Sequence, residues 1–181
     1  WGPVKLADVI LGNEPVVQVP IQVIDSAFGT APAQCTNAYQ NPSEAGYNGS
    51  LGVSFFEQDC GTTCSTYADN GIYYACSGTT CSEAAVPLST QAQNPVALLP
   101  VDNNGVIVQL PSIPSGGSPS ADGYLVLGIG TRSNNVPAGV TAYPASASGN
   151  IITTFNGSDH TGFIDTGSNG PLDSAGGRSL D

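Results

Sequence analysis

The stretch Val16-Val17-Gln18-Val19-Pro20-Ile21-Gln22-Val23-Ile24 decides the fold class, because it is dominated by β-branched residues. Such side chains favour strands over helices. Asn-Gly pairs, which tolerate positive φ and favour tight turns, recur along the chain and separate its apolar runs. Further strands are predicted over residues 4–11, 106–110, 123–128, 140–144, 150–155 and 162–164, and one helix over 87–97. The sequence therefore predicts a mainly β protein.

Composition and charge exclude several classes of function. The 181 residues include 3 basic and 14 acidic side chains, a net charge of −11, and only 9% are charged, against roughly 25% in an average soluble domain. This balance excludes the basic footprint of a nucleic-acid-binding protein. No apolar run approaches the ~18 residues of a membrane span. Near pH 3 the carboxylates would be largely neutral, so tolerance of acid is expected, although an uncharged polar surface on a secreted protein explains the composition equally well.

Four of the five cysteines, Cys60, Cys64, Cys76 and Cys81, lie close together in a segment rich in Gly, Ser and Thr. Their spacings do not suit a four-cysteine zinc site, and His160, the only histidine, is remote in sequence. Two disulfides in an exported protein are expected, with no metal and no cofactor. The local pairing is Cys60 with Cys64 and Cys76 with Cys81, and crossed pairings remain open. Cys35 is left over.

The sharpest local motif is Phe163-Ile164-Asp165-Thr166-Gly167-Ser168. Two apolar residues precede an Asp that opens a tight turn, and Thr, Gly and Ser follow. Aspartic peptidases use this pattern because the strand anchors a carboxylate, Gly permits close approach of a matching loop, and the hydroxyls orient the carboxylates. Two such carboxylates share one proton. The alternative interpretation is a plain transition from strand to turn.

The order of segments over residues 1–170 resembles the middle of a pepsin-like aspartic peptidase. Asn48-Gly49-Ser50-Leu51-Gly52-Val53 is similar to that family's Asp-Gly-Ile-Leu-Gly-Leu segment, and Gly123-Tyr124-Leu125-Val126-Leu127-Gly128 to its Gly-x-Leu-x-Leu-Gly-Gly segment. The resemblance implies pepsin-like β-barrel lobes, incomplete at both ends. Residues 1–105 would be the later part of a first lobe with a Cys-rich insertion at about 57–85, 106–170 the inter-lobe strand and the start of a second lobe, and 171–181 a tail.

The middle stretch also resembles, more closely, an uncharacterised family of bacterial exported proteins. Segments that carry this resemblance include Asp59-Cys60-Gly61, Tyr73-Tyr74-Ala75-Cys76 and Asp102-Asn103-Asn104-Gly105-Val106. This second resemblance implies export but no activity.

The peptidase resemblance implies an acid-active endopeptidase acting on a peptide or protein substrate, with a catalytic loop of Asp165, Thr166, Gly167 and Ser168. A pepsin-like enzyme also needs an earlier Asp-Thr-Gly loop and a flap Tyr, and in this register both would precede Trp1. Asp25-Ser26-Ala27 is similar to such a loop, but Ala27 replaces the Gly and its position in the order is wrong. The isolated chain is therefore expected to be inactive.

A second hypothesis is a non-enzymatic extracellular protein that uses a degenerate form of this fold for structure, filament or surface assembly. Open sheet edges invite pairing with a second chain or with another copy. Both hypotheses place the protein outside the cytoplasm, in the secreted fraction, at the cell surface or in the periplasm. Neither involves nucleic acid.

Overall fold

A computed structural model describes residues 1–35 and 38–166, together with the backbone of Leu172 and Asp173. Within these residues the chain is mainly β, which confirms the predicted class. The strands are β1 Val4–Val9, β2 Val17–Gln22, β3 Tyr74–Ser77, β4 Thr80–Glu83, β5 Val106–Gln109, β6 Tyr124–Leu127, β7 Ile151–Phe155, β8 Ser158–Phe163 and β9 Leu172–Asp173, and the helices are α1 Pro42–Ala45 and α2 Thr62–Thr66.

The strands form small antiparallel sheets. The pairs β1–β2, β3–β4 and β5–β6 are separate two-stranded sheets, and β7–β8–β9 is a three-stranded sheet. None of these sheets closes into a barrel within the described part of the chain. The β7–β8 connection is Asn156-Gly157, in which both residues have positive φ, 51° and 77°. This turn confirms the prediction from the Asn-Gly pair, because such a two-residue hairpin turn requires positive φ at both positions.

The predicted helix over residues 87–97 is wrong. Two short 3-10 turns, Leu88–Thr90 and Pro95–Leu98, replace it. The physical reason is Pro95, whose ring restricts the preceding residue to extended backbone. Asn94 accordingly has φ −69° and ψ 111°, and its side chain caps the second turn by accepting from the Val96 N–H at 3.0 Å.

The strand predicted over residues 140–144 is also wrong. The structure has no strand there, and the apolar side chains Val140 and Tyr143 are exposed. An extended run without a partner strand leaves its backbone to water, and Pro144 lacks the N–H that a ladder needs. The hairpin β3–β4 was not predicted from its short, polar strands.

The buried core is small and contains polar side chains. Val19, Cys64, Val96 and Leu99 are almost fully buried, and so are Gln91, Asp102 and Asn135. The chain divides into two compact units, Trp1–Val136 and Pro137–Asp181. The division into lobes at 1–105 and 106–170 remains a prediction. No helix within the described residues has the length and apolar character needed to span a bilayer.

Candidate functional site

The predicted catalytic loop begins where β8 ends. Phe163 pairs with Leu172 of β9, and Ile164 and Asp165 follow outside the strand. Asp165 and Thr166 are exposed, with Thr166 in a turn. Phe163 and Ile164 are exposed as well, so this pair does not form the buried cleft floor expected of an anchoring strand. Gly167 and Ser168 lie outside the described residues.

Asp25, the weaker candidate for a second carboxylate, lies beyond the end of β2. Its Oδ1 accepts a hydrogen bond from the Ala27 N–H at 2.8 Å, and its own N–H donates to the Trp1 carbonyl at 3.1 Å. This is a local turn of the kind that Asp side chains commonly form with their own backbone. Asp25 belongs to the unit Trp1–Val136 and Asp165 to the unit Pro137–Asp181.

The first unit contains a groove of about 610 Å³ that sequence reasoning missed. Its walls come from β1, β2 and the cysteine-rich segment, and they include Trp1, Phe28, Tyr73, Tyr74 and Asp59. Trp1 lies at the centre of an aromatic cluster, with its ring centroid 5.7 Å from that of Phe28 and 5.6 Å from that of Tyr74. A concave, largely apolar site of this volume falls in the size range of small-molecule sites.

A chain of hydrogen bonds fixes the polar wall of this groove. The Tyr73 hydroxyl donates to Asp59 Oδ1 at 2.7 Å and accepts from the Ala92 N–H at 2.7 Å. Tyr73 is buried, and burial raises its pKa far above the ordinary value. Asp59 is exposed to the groove, but its carboxylate lies against Tyr73, and burial on that side raises its pKa despite the hydrogen bonds from Tyr73 and the Cys60 backbone. The Ala92 N–H holds the phenol, and the phenol in turn orients the carboxylate.

The same segment carries both disulfides. The structure forms the local pairing, Cys60–Cys64 and Cys76–Cys81, and leaves Cys35 as a free thiol. The second disulfide joins residues directly opposite each other on β3 and β4. Interaction with the Cys35 thiol, together with burial, raises the pKa of Tyr74 to about 12.

A second polar cluster lies around Asp102, which is 1% exposed. Its carboxylate accepts hydrogen bonds from the Thr131 hydroxyl and from Arg132 Nε, the latter at 2.5 Å. Arg132 also pairs with Glu14 through its Nη2 at 2.9 Å. The hydrogen bonds from Thr131 and from Arg132 lower the pKa of Asp102. This cluster ties the loop between β1 and β2 to the loops that precede β5 and follow β6, and we assign it a structural role.

Part of the groove lies in segments that the sequence analysis relates to a known family. Asp59-Cys60-Gly61 and Tyr73-Tyr74-Ala75-Cys76 both carry the resemblance to a family of exported proteins. Nothing in their spacing showed that Tyr73 would reach Asp59, because the two residues are brought together by the disulfide-bonded segment between them.

Comparison with known proteins places the chain in one family. Residues 1–174 match the family described as "Protein of unknown function (DUF3443)", and the chain belongs to it. No curated protein and no solved structure matches the chain.

Proposed function

We propose that this member of the DUF3443 family is an exported, aspartic-peptidase-like protein in which Asp165 is one of two catalytic carboxylates. The observation that supports the proposal is the position of Asp165. It directly follows the apolar pair Phe163-Ile164 at the end of β8 and precedes a turn at Thr166. A carboxylate just beyond the end of a strand, with a turn at the next residue, suits a loop that meets a matching loop from another lobe. The pepsin-like character of the lobes is part of this proposal.

The second carboxylate would come from a segment or chain outside the described residues. Two carboxyl groups at close range share one proton, because both cannot ionise together. The ionised group would accept a proton from water as it attacks the scissile carbonyl, and the protonated group would donate to the carbonyl oxygen. Thr166 and Ser168 would hold the carboxylates in position. The shared proton requires a second catalytic carboxylate close to Asp165, and we expect the 181-residue chain by itself to be inactive.

Export is supported by the two disulfides, since disulfides persist mainly in oxidising compartments. The net charge of −11 supports work at acid pH, because a chain with 3 basic side chains accumulates little positive charge as its carboxylates are protonated.

The experiment compares Asp165→Asn with the wild type in the form secreted by the natural host, assayed on an unstructured protein at acid pH with and without pepstatin. Loss of a pepstatin-sensitive activity in Asp165→Asn supports the proposal. Asp159→Asn is the matched control, because Asp159 lies on the same hairpin and only accepts from the Thr154 hydroxyl at 2.7 Å. Activity that persists in Asp165→Asn would refute the role of Asp165.

A second candidate is a non-enzymatic extracellular assembly protein, and the sheets themselves favour it. In the described part of the chain each of the first six strands pairs on one side only, so every two-stranded sheet has open edges. Large apolar side chains are exposed on the β7–β8 hairpin, including Ile152 at 69% and Phe155 at 51%. Such edges and patches are suited to pairing with another strand.

Sedimentation velocity distinguishes the two candidates. If assembly is the function, the protein should form larger species with rising concentration, Ile152→Lys should suppress them, and Asp165→Asn should not. If the peptidase proposal is right, Asp165→Asn should remove activity while sedimentation is unchanged.

A further inference from the structure

We propose that the groove lined by Asp59 binds a small organic amine in its protonated form, with an apolar body that lies against the aromatic cluster. This inference is independent of the role of Asp165. It is based on the shape of the groove, the chemistry of its walls and the lack of a cationic partner for Asp59 among the residues that the structure describes.

The groove has the size and composition of a small-molecule site. Its volume is about 610 Å³, within the ~300–1,000 Å³ typical of ligand pockets. Trp1, Phe28 and Tyr74 form one continuous aromatic cluster on its wall. Aromatic faces attract organic cations as well as apolar groups, since the ring carries negative charge density on its face. An amine with an apolar body would use both properties.

Asp59 supplies the anionic end. Its carboxylate is held by the Tyr73 hydroxyl at 2.7 Å, and the Tyr73 ring is fixed in turn by the Ala92 N–H. A carboxylate that is oriented before binding loses little conformational freedom when a ligand arrives. Because Asp59 is exposed to the groove, its remaining lone pairs are accessible to an ammonium group.

The chain offers Asp59 no cationic partner among the described residues. The ion pairs there are those of Arg132 with Glu14 and with Asp102. Lys5 also lines the groove, but it does not lie within ion-pair distance of Asp59. A carboxylate in a concave, partly apolar site without a counter-ion favours a cation from solution over an anion or a neutral molecule.

Trp1 makes the test direct, because it is the only tryptophan of the chain and lines the groove. Its fluorescence should change saturably on titration with phenethylamine. The neutral analogue 2-phenylethanol, which keeps the ring and loses the charge, should bind at least about tenfold more weakly, the factor that corresponds to ~1.4 kcal/mol. Asp59→Asn keeps an acceptor for Tyr73 and should weaken phenethylamine binding by a similar factor. Asp69→Asn, at an exposed position in the same segment, should leave binding unchanged.

Equal binding of the amine and the alcohol would overturn the proposal, and so would unchanged amine binding in folded Asp59→Asn. If Asp59→Asn does not fold, the comparison of phenethylamine with 2-phenylethanol on the wild type is by itself sufficient to test the proposal. A lysine-containing peptide that binds while phenethylamine does not would also overturn the proposal and would assign the groove to a polypeptide. The outcome is independent of peptidase assays on Asp165, so failure of one proposal does not affect the other.

Discussion

The side-chain amide of Gln91 forms two hydrogen bonds with the backbone of Gly61. Gln91 Oε1 accepts from the Gly61 N–H at 2.7 Å, and Gln91 Nε2 donates to the Gly61 carbonyl at 2.9 Å. The same Nε2 also donates to the Val86 carbonyl at 3.2 Å. Gln91 is fully buried. Its amide pairs with both backbone polar groups of Gly61, as a neighbouring strand would, and so fixes the start of α2 beside the groove.

Gln91→Leu should destabilise the protein by about 1–3 kcal/mol, because it leaves the partly buried N–H and carbonyl of Gly61 without the Gln91 amide as their partner. Urea denaturation followed by circular dichroism measures the change. Gln93→Leu is the control, since the Gln93 amide makes a single bond of 3.2 Å to the Leu88 carbonyl near the surface. Equal effects of the two substitutions would contradict a special role for the Gln91 amide.

Asp102→Asn should destabilise the protein at neutral pH and make its stability less sensitive to acid. The pKa of Asp102 is lowered in the folded state, so its ionised form stabilises the fold above the ordinary Asp pKa of ~3.9. That stabilisation is lost as the pH falls through the folded pKa. The difference in free energy of unfolding between wild type and Asp102→Asn, measured by urea denaturation, should therefore become smaller as the pH falls from neutral to about pH 3. Asp122→Asn, in an exposed loop, should show no such convergence.

Gly128→Ala should be more destabilising than Gly130→Ala. Both glycines have left-handed backbone, φ 76° and 67°, which costs other residues roughly 1–2 kcal/mol. At Gly128 an added β-carbon would also lie 2.6 Å from Asp102 Oδ1 and 2.9 Å from Asn135 Nδ2, whereas at Gly130 it would enter open space. The difference in melting temperature between the two variants measures the cost of the steric clash at Gly128. Similar melting temperatures would show that the side chains around Asp102 move aside without cost.

The denatured, unreduced protein should titrate with one thiol per chain, that of Cys35. Reduction of either disulfide should cost about 2 kcal/mol, because each closes a short loop of 4 or 5 residues in sequence separation. Matched Cys→Ser pairs at 60/64 and at 76/81 measure the two contributions separately. Three free thiols in the unreduced protein would contradict the structure.

Features of the fold could be predicted from the sequence where they depend on neighbouring residues, and could not where they depend on contacts between distant parts of the chain. The Asn156-Gly157 turn was predictable because the backbone preference lies in the two residues themselves. The helix predicted over 87–97 is wrong, because Pro95 restricts Asn94 to extended backbone. The pairing of Asp59 with Tyr73 was not predictable, since it depends on the path of the chain between them. The pattern around Asp165 predicts a loop after a strand. It does not predict that Phe163 and Ile164 are exposed, because burial depends on how the strand packs.

The backbone hydrogen bonds of Arg132 have a consequence for proteolysis. Trypsin can cut this chain only after Lys5, Arg132 and Arg178. The Arg132 N–H donates to the Asn135 side chain at 2.7 Å and its carbonyl accepts from the Asn135 N–H at 3.3 Å, so the bond after Arg132 is not in the extended form that a protease requires. Cleavage there demands local unfolding of the loop and separates the chain close to the boundary after Val136. The rate at which trypsin cleaves after Arg132 therefore reports how often this loop opens.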